Sequence, residues 1–331
     1  MSELHKFVFD GLPVRGMLVR LTDGWQELLS RRAANTETGP YPVPVQRLLG
    51  EMSAAAVLLQ SNIKFNGSVI LQVQSHGRVQ LAVVDVQPDL AFRATAKVVG
   101  PVGADDGFVE LVSAGSAAGR CAITLDPLGR QPGQHPYQGV VSLVDAEGEP
   151  LPALADVLSQ YMQQSEQLDT TLVLAADGQV AAGLLIQRLP VEGEKNLAGQ
   201  ALPDPEHDPD EHYRRIAMLT RSLTRDELLS LDAETILRRL YWEEQVLRFE
   251  PQVGVQGGDA GPRFACTCNR ERVVNMLRSL GQDEIRSVVE ERGHVEVGCD
   301  FCGQQYVFDP IDAEALFADS AFTPPTSDDV H

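Results

Sequence analysis

The 331-residue sequence predicts an α+β protein with an N-terminal domain of mainly antiparallel sheet and helices, a helical linker, and a small C-terminal α+β domain. Three observations predict it. Short runs of alternating apolar and polar residues, bounded by glycine and proline, recur up to residue 190 with helical stretches between them. A proline- and acid-rich break over 191–211 is followed by capped amphipathic helices. Four of the five cysteines then fall near the C-terminus, as Cys266-Thr267-Cys268 and Cys299-Asp300-Phe301-Cys302.

Residues 4–21 alternate in two runs broken by Gly11 and Pro13, which predicts two strands and a turn. Trp25, Leu28 and Leu29 have helical spacing before Gly39-Pro40, and Val45 to Leu59 predicts a longer helix. Ile63-Lys64-Phe65, Asn66-Gly67 and Ser68 to Gln74 read as strand, tight turn and strand, because both central residues of a type I′ turn need positive φ. A turn at Ser75-His76-Gly77-Arg78 leads into Val79 to Val86, completing a three-stranded meander. Further strands are expected at Ala122 to Leu125 and Gly139 to Val144, and a helix from Leu151 to Gln167. A hairpin follows, Leu172 to Leu174 and Val180 to Leu189 around Asp177-Gly178.

Beyond Pro190, Thr224 with Glu227 forms a capping-box pattern, and Asp232 opens a helix with Ile236, Leu237, Leu240 and Tyr241 on one stripe. Such helices need a docking surface, since short isolated helices are marginal in water. The run from Gly254 to Gly261 reads as a glycine-rich hinge, and the tail from Ser320, with Pro324-Pro325, as disordered. The expected organisation is a core domain over 1–190, a charged helical linker with its hinge over 191–261, a cysteine domain over 262–319 and a tail over 320–331.

A net charge of -20 argues against nucleic acid as a partner, because binding a polyanion gains from clustered Lys and Arg. No apolar run reaches the roughly 18 residues that cross a bilayer, so no membrane is expected. The N-terminal residues lack the charged and apolar pattern of an export signal, and the expected location is the cytoplasm. In that reducing compartment, cysteines at ligand spacing bind metal or act in redox chemistry rather than forming structural bridges.

Cys266, Cys268, Cys299 and Cys302 supply four thiolates, the number and softness that tetrahedral Zn²⁺ requires. Asn269 is placed to cap a helix carrying Val273, Leu277 and Leu280, so the first pair sits at a helix N-terminus that favours anionic sulfur. Arg263, Arg270 and Arg272 are expected to add positive charge nearby. A second helix from about Asp283 stops at Gly293, and strands at His294 to Val297 and Gln304 to Phe308 flank the C-x-x-C turn. Asp309-Pro310 opens a last helix. Spacing leaves two readings open. The zinc is a permanent structural support, or the thiols can leave it to form short-loop disulfides, C-x-C closing a strained and labile one.

Cys266-Thr267-Cys268-Asn269-Arg270-Glu271-Arg272 and Cys299-Asp300-Phe301-Cys302-Gly303-Gln304-Gln305-Tyr306-Val307-Phe308 resemble the redox domain of the 33 kDa chaperonin family. The resemblance extends to Ile63 to Gly67 with Leu71 to Gln74, to Tyr137 to Val141, to Gln164 to Leu168 and to Arg239 to Glu244. It implies a redox-regulated, ATP-independent holdase of the bacterial cytosol, inactive when reduced and zinc-bound. Carried over by position, Cys266, Cys268, Cys299 and Cys302 are its zinc ligands, and its expected disulfides are Cys266–Cys268 and Cys299–Cys302. Oxidation is implied to release zinc and unfold the zinc domain and linker, and the active form to be a homodimer binding unfolding clients. Three departures stand out: Asn269 stands where serine is common, Asp169 replaces a usual proline, and the 254–261 run looks like an insertion.

Cys121 reads as a small buried hydrophobe on a strand. No histidine spacing matches a ligand motif, the run Gly115 to Gly119 lacks the lysine of a phosphate loop, and no nucleophile, base and orienter set is visible, so no enzymatic activity is expected. The alternative function is a zinc-ribbon module with constitutive structural zinc that recruits one protein partner.

Overall fold

The computed structural model describes residues 1–35, 38–113, 119–129, 133, 135–190 and 209–318. The expected loop at 115–119 and the proline-rich break largely fall outside the described residues, and the expected tail wholly so. Two compact units are present, Met1–Ala265 and Cys266–His331. The architecture is α+β, with two six-stranded sheets in the first unit and a two-stranded sheet in the second.

The first sheet has the order β10 (Val246–Arg248), β1 (Ser2–Phe9), β2 (Val14–Leu21), β9 (Ala181–Arg188), β8 (Thr170–Ala176), with β11 (Gln252–Gly254) also on β1. The second has the order β12 (Arg263–Phe264), β5 (Ala91–Val98), β4 (Val79–Val86), β3 (Gly67–Gln74), β6 (Arg120–Pro127), β7 (Tyr137–Ser142). Pairing is antiparallel except between β12 and β5. Helix α1 covers Asp23–Ala34, α3 Phe108–Val112 and α4 Leu154–Tyr161. Helix α2, Val43–Asn62, packs against strands of both sheets, and its Ala54, Ala55 and Ala56 are fully buried. Small residues let two sheets close on one helix, which explains a helix apolar on nearly every face.

The structure departs from the expected meander at its first turn. Helix α2 continues to Asn62, so Ile63 to Phe65 form the connection into β3 instead of a strand. Gly67 already lies in β3, without positive φ, and a Cβ there would come within 2.2 Å of the Asp126 carbonyl oxygen. Its glycine therefore serves close approach to β6 rather than a type I′ turn. The third strand of the meander is β5, whose alternation Ala91-Phe92-Arg93-Ala94-Thr95-Ala96 reads weakly because alanine marks the buried face. The Leu151–Gln167 helix ends earlier as α-helix, at Tyr161, and finishes in a π-helical turn over Met162–Glu166 with Gln167 left-handed. Asp169 holds Arg188 from the neighbouring strand, its carbonyl accepting the Arg188 N–H at 2.9 Å.

The linker helices are α5 (Pro209–Arg221), α6 (Arg225–Ser230) and α7 (Ala233–Leu240). The capping box of Thr224 and Glu227 forms, and Asp232 caps α7 through the Thr235 N–H at 2.9 Å. The three helices dock on the face of the first sheet turned away from α2. Ile216, Leu223, Leu228, Ile236, Leu237, Leu240 and Tyr241 bury against Phe7, Phe9, Val14, Leu18, Leu184 and Ile186 in one cluster. Strand β9 is thus covered on both faces, which is why its sequence runs apolar without alternation. Polar groups fix the register. Arg20 on β2 donates to the carbonyls of Leu228 at 2.6 Å and Leu229 at 3.1 Å, and Tyr213 meets the Thr171 hydroxyl at 3.1 Å.

Arg225, at the start of α6, reaches Glu51 on α2 at 3.7 Å. Burial pushes the Glu51 carboxyl up to about 7, against the pull of Arg225 and Arg47. The folded state binds this proton more tightly than the unfolded chain. Its contribution is therefore fully present below the ordinary pKa of 4.5 and is lost as pH rises through about 7. Glu51→Gln is expected to stabilise the protein by about 2 kcal/mol at pH 8, and by progressively less toward pH 5. Thermal unfolding across that range checks it, and a gain that does not vary with pH would contradict the assignment.

Candidate metal centre

The second unit is small. Helices α8 (Arg270–Leu280), α9 (Gln282–Arg292) and α10 (Pro310–Ala318) surround the hairpin of β13 (Val295–Gly298) and β14 (Gln305–Phe308). Its buried apolar core consists of Val273, Leu277, Ile285, Val295, Phe308, Ala313 and Leu316. Asn269 caps α8 by accepting the Arg272 N–H at 2.8 Å, so Cys266 and Cys268 lie just ahead of a helix N-terminus. Gly293, left-handed at φ 80°, ends α9 and turns the chain into β13. Cys299 and Cys302 occupy the β13–β14 turn, which closes through Gly303 N–H to Cys299 O at 2.8 Å and Cys299 N–H to Gln304 O at 3.0 Å. Gly303, at φ 71°, takes a conformation that other residues adopt only under strain.

These two segments bring all four sulfurs within 4.8 Å of one another. Cys266 Sγ lies 3.7 Å from Cys299 Sγ, and Cys268 Sγ 3.4 Å from Cys302 Sγ. A tetrahedron with metal–sulfur bonds of about 2.3 Å has sulfur–sulfur edges of about 3.8 Å, so the set fits a tetrahedral soft cation such as Zn²⁺. Cys302 is buried and the other three are partly so. The surroundings favour anionic sulfur at Cys266 and oppose it at Cys299 and Cys302. A hydrogen bond from the Cys299 thiol, assisted by the Cys268 N–H, holds Cys266 down at about 4, and the same interaction raises Cys299. Burial pushes Cys302 up to about 11, eased by the Gln304 N–H. A divalent cation would replace such shared protons, which makes metal affinity fall as pH falls.

The structure corrects one electrostatic expectation. Arg263 belongs to the first unit and is buried there against Asp89. Arg270 pairs with Asp312 at 2.7 Å and stacks on the Phe308 ring, 4.1 Å from its centroid. Of the three arginines, Arg272 is the one bonded to the ligand loop, at Thr267 Oγ1, 2.7 Å away. Sequence reasoning misses Tyr306, whose hydroxyl donates to Cys268 Sγ at 3.2 Å and is itself raised to about 12 by that bond. The available signal is its place in β14 opposite Val297, two residues before Cys299. His294 is exposed and faces Glu296 at 3.7 Å. Cys121 is fully buried, and burial pushes its thiol up to about 12, which makes it unreactive.

The model of the family described as "Hsp33 protein" matches residues 2–309. A protein of Chromobacterium violaceum named "33 kDa chaperonin" is 44% identical over 316 residues, covering 96% of this chain and 94% of its own length. Another of that name, from Shewanella woodyi, is 37% identical over 319 residues, covering 96% of each chain. The crystal structure of a 33 kDa chaperonin from Thermotoga maritima superposes with a TM-score of 0.70 over 96% of this chain and 98% of that one, at 21% identity. That likeness speaks for the fold, and the two sequence comparisons for the relationship. The chain belongs to the Hsp33 family.

Proposed function

We propose that this protein is a redox-regulated, ATP-independent chaperone: a holdase that is silent while Zn²⁺ sits on Cys266, Cys268, Cys299 and Cys302, and active once those thiols are oxidised. The names of its relatives support the chaperone part, and the observation that carries the switch is the gathering of four sulfurs within 4.8 Å in a unit with so small a core. Bound zinc would tie the two cysteine segments together, which in such units contributes roughly 10–16 kcal/mol of apparent folding free energy.

Oxidation removes the donors. By position in the family, the pairs formed are Cys266–Cys268 and Cys299–Cys302. Formation of each disulfide from two thiolates gives two electrons to the oxidant, and hydrogen peroxide takes two protons from solvent as it is reduced to two waters. Loss of the module leaves the linker helices to hold by their own contacts. Once undocked, they expose apolar faces on themselves and on the first sheet. Unfolding clients bind there through hydrophobic contact, which needs neither ATP nor sequence specificity. The oxidised form is a homodimer in this reading, the reaction is not enzymatic, and the site of action is the cytoplasm. Among the described residues no helix is long and apolar enough to cross a membrane.

Light scattering from a heat-aggregating client tests the switch. Protein treated with peroxide at elevated temperature is expected to suppress aggregation and to release its zinc to a chromogenic chelator, while reduced protein does neither. Equal activity of both forms with zinc retained would favour a constitutive zinc-ribbon interaction module instead.

A further inference from the structure

The linker helices and the cysteine cluster are separated in the chain by residues 241–265, and this segment is fastened rather than free. Strands β10 and β11 pair with β1 in the first sheet, and β12 pairs with β5 in the second. The glycine-rich run between them closes on itself. A Cβ on Gly254 would stand 1.9 Å from the Pro262 carbonyl oxygen, and one on Gly261, at φ +78°, 2.4 Å from the Val253 carbonyl oxygen. Glycine here permits two chain segments to press together, and Gln256 Nε2 closes the loop on the Phe264 carbonyl at 3.0 Å.

Strand β12 is only two residues long, so its ladder alone is a weak hold. Its side chains supply the rest. Arg263, 6% exposed, pairs with the Asp89 carboxylate and donates to the carbonyls of Asp89 and Gly261, each at 3.1 Å. Phe264 is buried under the Arg31 guanidinium, 5.3 Å from its centroid. Gly24, on the same helix α1 as Arg31, abuts the strand so closely that a Cβ would lie 2.8 Å from the Phe264 nitrogen. The turn that Arg263 grips carries Leu90 at φ 66°, a left-handed conformation that leucine rarely adopts and that persists where neighbours enforce it.

We propose that the Arg263 buckle on Asp89 is a gate between the cysteine module and the linker helices: it keeps the linker docked until β12 peels from β5, and so sets how much disturbance of the module the linker survives. The inference rests on the switch reading above and assigns Arg263 and Asp89 as its positioning residues. Peeling must pass β12, then β11 and β10, before it reaches α7, because the chain offers no shorter route. A disturbance that begins at Cys266 meets the Arg263 anchor first.

Hydrogen exchange of the full-length reduced protein, before and after zinc is stripped by a chelator, tests this. In the parent, exchange is expected to rise across 270–318 while α5 to α7 stay protected. Asp89→Asn weakens the charged half of the buckle at a partly exposed position, and Gly24→Ala pries at β12 from a second element, helix α1. After stripping, both variants are expected to lose protection in α5 to α7 about tenfold faster than the parent, the loss of one charge-assisted hydrogen bond being enough for that factor. Loss of linker protection in the parent as fast as in the module, or equal rates in parent and variants, overturns the gate. Acceleration by Asp89→Asn alone also overturns it, since that marks a local effect on the 87–91 turn. Slower exchange in Gly24→Ala would mean that the methyl merely strengthens α1 and that β12 does not press on it. Failure of the holdase reading shows separately, as oxidised parent that does not protect a client.

Discussion

Cys299→Ser is expected to strip zinc from the reduced protein and to unfold the second unit at room temperature. A serine hydroxyl is a harder and far weaker donor to a soft cation than a thiolate, so the tetrahedral set loses one of its four members. The Cys299 backbone also closes the β13–β14 turn, but that role survives the substitution, since both hydrogen bonds there are main-chain. The effect is therefore on the metal rather than on the turn. Among the described residues the unit's core holds seven buried apolar side chains, so the unit has little else to offset its chain entropy. A metal assay should give a zinc content well below that of the parent, and exchange protection over α8 to α10 should vanish. Unchanged zinc stoichiometry would remove Cys299 from the ligand set. The corresponding changes at Cys266, Cys268 and Cys302 are expected to act alike, because all four sulfurs share one site.

Ile236→Asp is expected to make the reduced protein an active holdase with its zinc still bound. Ile236 is fully buried in the cluster joining α7 to the first sheet, beside Leu237, Leu240 and Tyr241. A carboxylate at that place would be buried in an apolar cluster that also holds Phe7, Phe9 and Leu18, which costs about 3–4 kcal/mol. That loss falls on docking and leaves the folded sheet, whose own strands stay paired. The linker should lose exchange protection, and the exposed face of β1, β2 and β9 should bind a hydrophobic dye. Suppression of client aggregation without oxidant, alongside full zinc content, is the expected result. A variant whose linker is undocked and which still fails to protect a client would show that the working surface lies elsewhere.

The cysteine site was legible from spacing because metal chemistry is short-range and residue-specific. Two pairs of thiols, a capping asparagine and a glycine after the second pair specify a sulfur tetrahedron almost regardless of what surrounds it. The helical caps at Thr224, Asp232 and Asn269 and the break at Gly293 were legible for the same reason, each being decided within one turn of chain. Failures came where a residue served a distant neighbour. Asn66-Gly67 carries a strong local turn signal, yet Gly67 is there for the backbone of β6, some sixty residues on. Arg263 lies close to Cys266 in sequence and is held in the first unit by Asp89. Tyr306 reads as an ordinary strand aromatic until the hairpin brings its hydroxyl to Cys268.

By itself, then, the sequence determined the α+β class, most of the strands and helices, and a four-thiol cluster that could hold a metal ion, because these follow from local periodicity, capping and ligand type. Tertiary structure alone decided that α2 lies between two sheets, that the amphipathic linker spends its apolar stripe on β1, β2, β8 and β9, and that a glycine-rich run ends in a buckle on Asp89. Those outcomes depend on which surfaces meet. Burial of apolar area is non-directional and specifies that a face must be covered, while the choice of partner emerges only when the whole chain competes to cover it.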